Sequence, residues 1–142
     1  MIDQKKKFYI NGEWINSSET NSLKVIDPST EEVCAIISLG SKQDTDNAVL
    51  AAKKSFISWW NTPKEKKLEF LNILLKIYIE RSEEMAQIIS SEMGAPKDWA
   101  KNQQSQSGED HIRTLINNFK KFEFEHYLNK EKANYISYEP IG

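Results

Sequence analysis

The chain has 142 residues, of which 39% are hydrophobic and 28% charged, a composition typical of one folded domain rather than of a disordered tail. Lys and Arg number 19 and Asp and Glu 21, so the net charge of -2 gives no strong field that would select a nucleic acid or an anionic membrane. No stretch approaches the roughly 18 consecutive apolar residues of a membrane span, and no apolar signal core opens the chain, so we expect neither membrane insertion nor export.

The N-terminal residues predict a β-hairpin. Two short runs rich in aromatic and β-branched residues, at 8–10 and 13–15, flank the dipeptide Asn11-Gly12. This dipeptide is a strong hairpin signal because both turn positions need a positive φ. The preceding basic residues at 5–7 are expected to fray as solvated charge rather than to bind a partner.

A second hairpin is predicted from two runs of β-branched residues. Residues 23–26 and 33–39 flank the sequence Asp-Pro-Ser-Thr at 27–30, whose residue types favour a turn. The two runs are therefore expected to pair with each other. Gly40 is expected to end the sheet region.

Two helices are predicted next, over about residues 43–60 and 63–93. Ser41 and Asp44 have the spacing of a capping box, in which each residue satisfies the backbone of the other at the start of a helix. The second helix has proline at its first position, where the missing N–H is no loss. Apolar residues recur at helical spacing in both segments.

A third helix is predicted over about residues 97–127, because Gly94 and Pro96 stop the second one. Its first half, at 101–110, is strongly polar and is therefore expected to meet solvent or to border a wet cavity. The apolar residues of its predicted buried face are Ile112, Leu115, Ile116, Phe119 and Phe122.

Residues 133–138 alternate in polarity, which predicts a strand near the end of the sequence. A strand that has just begun and closes on apolar residues would leave an unpaired edge. We therefore expect the 142 residues to be the first part of a longer chain.

Several motifs occur in a fixed order along nearly the whole sequence. The residues that carry them are 9–14, 27–33, Asp44, Asp46, Ala48, Val49, Ala51, Ala52, Phe56, Trp59, Glu80, Arg81, 84–86, 92–96 and 139–142. Their order and spacing resemble the N-terminal part of the aldehyde dehydrogenase superfamily. Lys66 departs from the pattern, because the family often has arginine there, and members of the family are several times longer.

The resemblance implies an α/β fold, of which residues 1–142 supply the N-terminal part of one domain. The visible part is expected to contain two β-hairpins and three helices. Residues 133–142 are expected to begin the strand that bridges subunits, and the resemblance implies a homodimer or homotetramer.

The resemblance also implies an oxidoreductase that converts an aldehyde to an acid with NAD or NADP as acceptor. In that chemistry a cysteine thiolate adds to the aldehyde, hydride passes to the nicotinamide, and a water activated by glutamate cleaves the thioester. An asparagine side chain and a backbone N–H hold the oxyanion. These catalytic residues and the dinucleotide contacts are expected beyond Gly142, so the 142-residue chain by itself contains no catalytic or cofactor-binding residue and is predicted to be inactive.

Cys34 is the single cysteine, which excludes an intramolecular disulfide and any multi-cysteine zinc or iron–sulfur site. It lies in a predicted buried strand, without a neighbouring histidine or helix N-terminus to activate its thiol. We interpret it as a packed core thiol and not as the nucleophile. Such sparing use of cysteine is typical of the reducing cytoplasm.

A monovalent cation site is a further implication of the resemblance. The main-chain carbonyls of Val25 and Ile26 and the carboxylate of Glu92 would supply ligands for potassium or sodium, with the remaining ligands beyond Gly142. Oxygen ligands suit a hard cation. The alternative interpretation is that Glu92 is a solvated residue in the last turn of its helix.

The polar start of the third helix is the second candidate site. In the family this helix borders the tunnel by which the aldehyde enters, which gives Gln104, Ser107, Gly108 and His111 the role of shaping substrate choice. No nucleophile accompanies His111 in the sequence, so we interpret it as a surface or tunnel-lining residue rather than a general base.

Two other classes of function remain as alternatives. The chain could be a non-catalytic helical interaction module, for example one that binds another dehydrogenase subunit through its apolar faces. It could also be the product of a decayed gene. A nucleic-acid binder is disfavoured by the balance of charges. The sequence leaves open which aldehyde is oxidised and whether NAD or NADP is used.

Overall fold

Strands occupy the first part of the chain in the computed structural model, which describes residues 3–129, 131 and 133–141. The five strands that precede the helices are β1 (Asp3–Lys5), β2 (Lys7–Ile10), β3 (Glu13–Asn16), β4 (Ser22–Asp27) and β5 (Glu32–Ser38). They form a three-stranded sheet in the order β1–β5–β4 and a separate hairpin of β2 and β3. Gly142, the last residue of the motif at 139–142, lies outside the described residues.

Strands β2 and β3 confirm the first predicted hairpin. Tyr9 lies opposite Trp14, and their ring centroids are 5.3 Å apart. Asn11 has a φ of 55° and Gly12 a φ of 84°, the positive values that a two-residue hairpin turn of this kind requires.

Strands β4 and β5 confirm the second predicted hairpin and pair antiparallel. Val25 lies opposite Ala35, whereas the next residue of β4, Ile26, lies opposite Val33. Cys34 is therefore an extra residue in β5, which makes a β-bulge.

The expected fraying of residues 5–7 was wrong, because Lys7 belongs to β2, opposite Asn16, and Lys5 belongs to β1 (Asp3–Lys5). This segment pairs in parallel with β5, with Asp3 opposite Ala35 and Lys5 opposite Ile37. Strand pairing uses main-chain N–H and C=O groups, which every residue of this segment carries whatever its type. The Ser38 hydroxyl also donates to the carbonyl of Lys6 at 3.0 Å.

Helix α1 (Lys42–Trp60) agrees with the first predicted helix, and its capping box is present. The Ser41 hydroxyl accepts a hydrogen bond from the Asp44 N–H at 3.1 Å, and the Asp44 carboxylate accepts one from the Ser41 N–H at 3.0 Å. Two backbone donors that the helix cannot satisfy internally are thus paired.

The single helix predicted over 63–93 is instead two helices, α2 (Lys64–Glu80) and α3 (Ser82–Met93). They are separated by Arg81, whose φ of -108° and ψ of 11° are not helical. The Arg81 guanidinium donates two hydrogen bonds to Glu84, and acidic residues in the first turn of α3 favour a new helix start because they face its positive end. Gly94, with a φ of 69°, ends α3 as predicted.

The helix predicted over 97–127 is shorter and less regular than expected. It consists of one α-helical turn, α4 (Lys97–Trp99), a π-helical segment (Ala100–Ser105), and α5 (Gln106–Lys121). The Lys64 ammonium closes the end of α5 by donating to the carbonyls of Lys120 at 3.0 Å and Phe122 at 2.8 Å. These contacts pair carbonyls that have no partner within the helix.

Residues beyond α5 form a strand where the helix was predicted to continue. Strand β6 (Glu125–Tyr127) pairs antiparallel with β7 (Tyr135–Ser137), and His126 lies opposite Ile136. Aromatic and acidic residues alternate over 122–125, a period that suits a strand and not a helix. β7 confirms the strand predicted over 133–138.

The helical core lies where α3 meets the π-helical segment. Ala86, Ala95 and Ala100 are buried there, with Ile89 packed against them. Large apolar side chains on α1 and α2 remain exposed, among them Leu50, Ile57, Trp59, Ile73 and Leu74. Within the described residues, none of the helices combines the length and the apolar character needed to cross a membrane.

Candidate functional site

The π-helical segment and the first turn of α5 form the candidate site. Ala100 and Ser105 are almost completely buried, with relative exposures of 0% and 1%. Wide helical turns of this type are rare and are found disproportionately at functional sites. The segment therefore marks the polar half of the predicted third helix as more than a solvated surface.

Two hydrogen bonds tie this segment to the α2–α3 junction. The Ser105 hydroxyl donates to the carbonyl of Ser82 at 2.9 Å, and the Tyr78 hydroxyl donates to the carbonyl of Ser105 at 2.8 Å. Sequence reasoning missed these three residues. The signal that was available is Gly108, because a glycine within a helix is unfavourable and implies a packing reason.

Gly108 allows the Tyr78 ring to approach the helix backbone. A Cβ atom at Gly108 would lie 2.1 Å from the Tyr78 hydroxyl oxygen and 2.6 Å from its Cζ atom. No side chain larger than hydrogen fits there unless the ring or the helix moves. The contact explains the glycine, whose φ is not in the left-handed region.

The four residues predicted to line a tunnel follow one helical face, with spacings of three, one and three positions. Gln104 and Gly108 are half-buried, whereas Ser107 and His111 are exposed. The Gln104 amide nitrogen lies 3.5 Å from the sulfur of Met93, and its Oε1 atom is buried without a hydrogen-bond partner among the residues that the structure describes. No hydrogen bond joins His111 to a hydroxyl or thiol within the part of the chain that the structure describes.

An ion pair adds a surface contact beside the same segment. The Lys101 ammonium lies 2.7 Å from a Glu83 carboxylate oxygen on α3. This hydrogen bond and the opposite charge lower the pKa of Glu83 and raise the pKa of Lys101. Both side chains are well exposed, so the pair adds little stability.

The residues of the predicted cation site lie on β4 and α3, which pack against each other. The bulge between Val25 and Ile26 interrupts the regular ladder, and the Val25 carbonyl accepts a weak hydrogen bond from the Cys34 thiol at 3.5 Å. The Glu92 side chain is exposed. Among residues 3–129, 131 and 133–141, no three His, Cys, Asp or Glu side chains are grouped to hold a metal, so a cation here would depend on main-chain oxygens.

The helix N-termini do not suit a dinucleotide phosphate. A helix start binds phosphate through free N–H groups and its positive end, but carboxylates occupy the first turns of the four longer helices: Asp44 in α1, Glu65 in α2, Glu83 and Glu84 in α3, and Glu109 in α5. The sequence also lacks a Gly-x-Gly-x-x-Gly motif. Within the described residues, the starts of these four helices therefore do not suit a dinucleotide phosphate.

Comparison with known proteins places these features in a family. The model of the aldehyde dehydrogenase family matches residues 14–142. An aldehyde dehydrogenase from Bartonella henselae is 50% identical, with a TM-score of 0.88 over 92% of this chain and 27% of that one. An aldehyde dehydrogenase C mutant from Pseudomonas syringae, in complex with NAD+ and octanal, is 35% identical, with a TM-score of 0.85 over 87% of this chain and 26% of that one.

A curated relative gives the same picture at the level of sequence. The 3-succinoylsemialdehyde-pyridine dehydrogenase of a Pseudomonas species is 33% identical over 138 residues, which is 96% of this chain and 28% of the relative. The chain spans about a quarter of the length of the curated relatives it matches.

Proposed function

Because this chain belongs to the aldehyde dehydrogenase family, we propose that it supplies the N-terminal part of an enzyme that oxidises an aldehyde to an acid with NAD or NADP. The observation that carries this proposal is the family match over residues 14–142, supported by the 50% identity and common fold with the Bartonella henselae protein. Complexes of relatives with NAD+ support the choice of acceptor.

The role proposed for these residues is to shape the enzyme and not to react. Cys34 is the only cysteine in the sequence, and it is held in the bulge of β5 with its thiol against the Val25 carbonyl. Within the described residues, the Cys34 thiol is hydrogen-bonded to this carbonyl and not to a histidine that could activate it as a nucleophile. The reacting groups and the dinucleotide site are assigned to the remaining part of the enzyme.

The described residues of this chain that act on substrate are proposed to be Gln104, Ser107 and His111, whereas Gly108, on the same helical face, gives room to the Tyr78 ring. They lie on one face of the helical segment, and the polar Gln104 Oε1 atom has no partner within the described residues. A half-polar helix face of this kind suits the wall of a water-filled entrance. These residues would select among aldehydes by shape and hydrogen bonding, without transferring a proton.

The C-terminal hairpin of β6 and β7 is proposed to begin the strand that bridges subunits of a dimer or tetramer. Strand β7 (Tyr135–Ser137) lies within the predicted bridging segment, residues 133–142, and Tyr127 and Tyr135 pack edge to face across the hairpin. The single cysteine supports a reducing cytoplasmic location.

A chimeric enzyme tests the proposed function. Residues 1–142 replace the matched N-terminal quarter of the Bartonella henselae enzyme, and NADH formation is followed with propanal and octanal, the longer aldehyde being one that the Pseudomonas syringae relative binds. We expect kcat/KM within about tenfold of the parent enzyme, and no NADH formation by the 142-residue chain alone.

The parent enzyme serves as the positive control, and gel filtration with thermal unfolding shows whether the chimera is folded. A folded chimera without activity on any aldehyde would contradict the proposed function. That result would favour the alternative, an interaction module that binds a dehydrogenase without supporting its chemistry.

The cation site gives a second prediction in the same chimera. We propose that the Val25 and Ile26 carbonyls and the Glu92 carboxylate bind potassium or sodium, since these are hard oxygen ligands. Glu92→Gln removes one charge and is expected to raise the potassium concentration needed for half-maximal stabilisation by about tenfold. Thermal unfolding over a range of KCl concentrations, with choline chloride at matched ionic strength as control, measures this shift.

Glu80→Gln is a matched control, since Glu80 is an exposed carboxylate at the end of α2, 3.9 Å from the Lys76 ammonium. An identical potassium dependence for Glu92→Gln and for the unsubstituted chimera would show that Glu92 is simply a solvated residue.

A further inference from the structure

We infer that Tyr78 is a positioning residue, which holds the π-helical segment (Ala100–Ser105) in register and thereby decides which side chains face the proposed aldehyde entrance. The inference rests on the proposed function, because it concerns substrate choice by residues 104–111. It adds a residue on another helix that touches neither substrate nor cofactor.

The first step is the unusual backbone of the segment. A π-helical turn has a wider path and poorer hydrogen-bond geometry than an α-helix, so it persists only where neighbouring groups hold it. The Tyr78 hydroxyl, on α2, donates to the Ser105 carbonyl at 2.8 Å, where the wide turn ends. The Ser105 hydroxyl adds a second bond to the Ser82 carbonyl at 2.9 Å. Both bonds bring groups from outside the helix to the last residue of the π-helical segment.

The second step is steric. The space between the Tyr78 ring and α5 is so small that a Cβ at Gly108 would lie 2.6 Å from the Tyr78 Cζ atom. The ring therefore lies against the backbone of the first turn of α5 and restricts rotation of that turn. The Tyr78 hydrogen bond to Ser105 and the contact of the Tyr78 ring with Gly108 together hold the junction between the π-helical segment and α5.

The third step connects the junction to the candidate site. Neighbouring side chains of an α-helix differ in direction by about 100°, since each turn contains 3.6 residues. A π-helical turn contains extra chain relative to an α-helical one, so its conversion to α-helix would rotate α5 against α3 by about one residue step. Ser107 and His111 would then leave the face that Gln104 begins. Tyr78 thus acts on substrate choice through the register of the helix.

Tyr78→Phe in the chimera tests the inference, because it removes the hydroxyl and keeps the ring. We expect the ratio of kcat/KM for octanal to that for propanal to change by about fivefold, with KM for NAD unchanged. Hydrogen exchange of the amides at 104–110 is expected to become faster while exchange in α1 stays the same. Tyr9→Phe is the matched control, since Tyr9 is 63% exposed on the β2–β3 hairpin; it should leave the ratio within about twofold.

Ser105→Ala is expected to change the same ratio of kcat/KM values. It removes the hydrogen bond to the Ser82 carbonyl and retains the Ser105 carbonyl that Tyr78 contacts. Ser107→Leu in the same chimera changes the proposed aldehyde entrance directly. It therefore distinguishes the proposed entrance from the positioning role of Tyr78. If Ser107→Leu shifts the ratio but Tyr78→Phe and Ser105→Ala do not, the positioning role is overturned and the proposed function stands. If Tyr78→Phe lowers kcat/KM equally for both aldehydes, Tyr78 is only structural and the inference is likewise overturned. An unsubstituted chimera that folds but is inactive overturns the proposed function together with the inference.

Discussion

Replacing Gly108 by alanine is expected to lower the free energy of unfolding by about 3 kcal/mol, the upper part of the range for inserting a group into a packed contact. The new Cβ would lie 2.1 Å from the Tyr78 hydroxyl oxygen and 2.6 Å from Cζ. Relief of this clash moves the ring and breaks its hydrogen bond to Ser105. The higher helix propensity of alanine offsets only about 1 kcal/mol of the loss.

Urea denaturation of the 142-residue chain and of the chimera measures this effect from the change in midpoint. Gly40→Ala is the matched control, because a Cβ at Gly40 meets only the Phe8 ring at 3.8 Å, an ordinary contact. Adding Tyr78→Leu to Gly108→Ala should recover part of the loss, since the ring that clashes is gone. Equal midpoints for Gly108→Ala and Gly40→Ala would show that the ring is not held against the helix.

Replacing Asp44 by asparagine is expected to lower Tm by about 5–10 °C, as for loss of a helix cap together with its neighbouring contacts. The side chain is only 4% exposed, and its carboxylate accepts hydrogen bonds from four donors: the Ser41 N–H, the Ser41 hydroxyl, the Ser17 hydroxyl and the Ser18 N–H. An asparagine amide presents N–H groups to some of these donors and leaves them unpaired.

The same carboxylate makes stability depend on pH. Hydrogen bonds, of which the one from the Ser41 N–H has the largest effect, lower the pKa of Asp44 to about 2. A carboxylate whose pKa is lowered by folding adds stability above its ordinary value of 3.8, and this stability is lost as the pH falls towards 2. Thermal unfolding between pH 2 and pH 6 should therefore show a steeper decline for the unsubstituted chain than for Asp44→Asn.

Asp46→Asn provides the comparison for Asp44, because it changes the same residue type two positions along α1. Asp46 pairs with Lys42 in an exposed ion pair on the helix surface, a kind of contact that contributes little. Its Tm should change by less than about 2 °C. A similar Tm for Asp44→Asn and Asp46→Asn would mean that the serine contacts do not hold the start of α1.

Secondary-structure elements that are determined by interactions between residues close in sequence could be predicted from the sequence. The Asn11-Gly12 turn needs only two residues with positive φ, and the Ser41–Asp44 capping box closes within one helical turn. The end of α5 also had a local signal, since the alternation of aromatic and acidic residues over 122–125 indicates a strand. The longer helix was predicted because the aromatic residues of that stretch also fit helical spacing.

Secondary-structure elements that depend on contacts with residues far away in the sequence were missed. β1 depends on β5, which lies more than thirty positions away, and the π-helical segment depends on Tyr78 and Ser82. Nothing in residues 100–105 alone specifies a wide turn. The break at Arg81 is an intermediate case, because the acidic residues after it resemble a helix start but no proline or glycine marks it.

The candidate site shows the same division. Spacing places Gln104, Ser107, Gly108 and His111 on one face, and the resemblance to a family suggests what that face borders. Ser105 and Tyr78 could not be found in this way, because their roles arise only when two helices meet. The roles of Val25, Ile26 and Glu92 as cation ligands stay predictions.

Because β1 pairs in parallel with the distant strand β5, the order in which the strands of this sheet are synthesised differs from the order in which we expect them to pair. β1 is synthesised before its partner at residues 35–37, because it lies more than thirty positions earlier in the chain. The β4–β5 hairpin has a short loop and closes at little entropic cost, whereas docking of β1 must close a loop about six times longer. We therefore expect β1 to pair with β5 after the β4–β5 hairpin has formed, although β1 is synthesised before both of those strands.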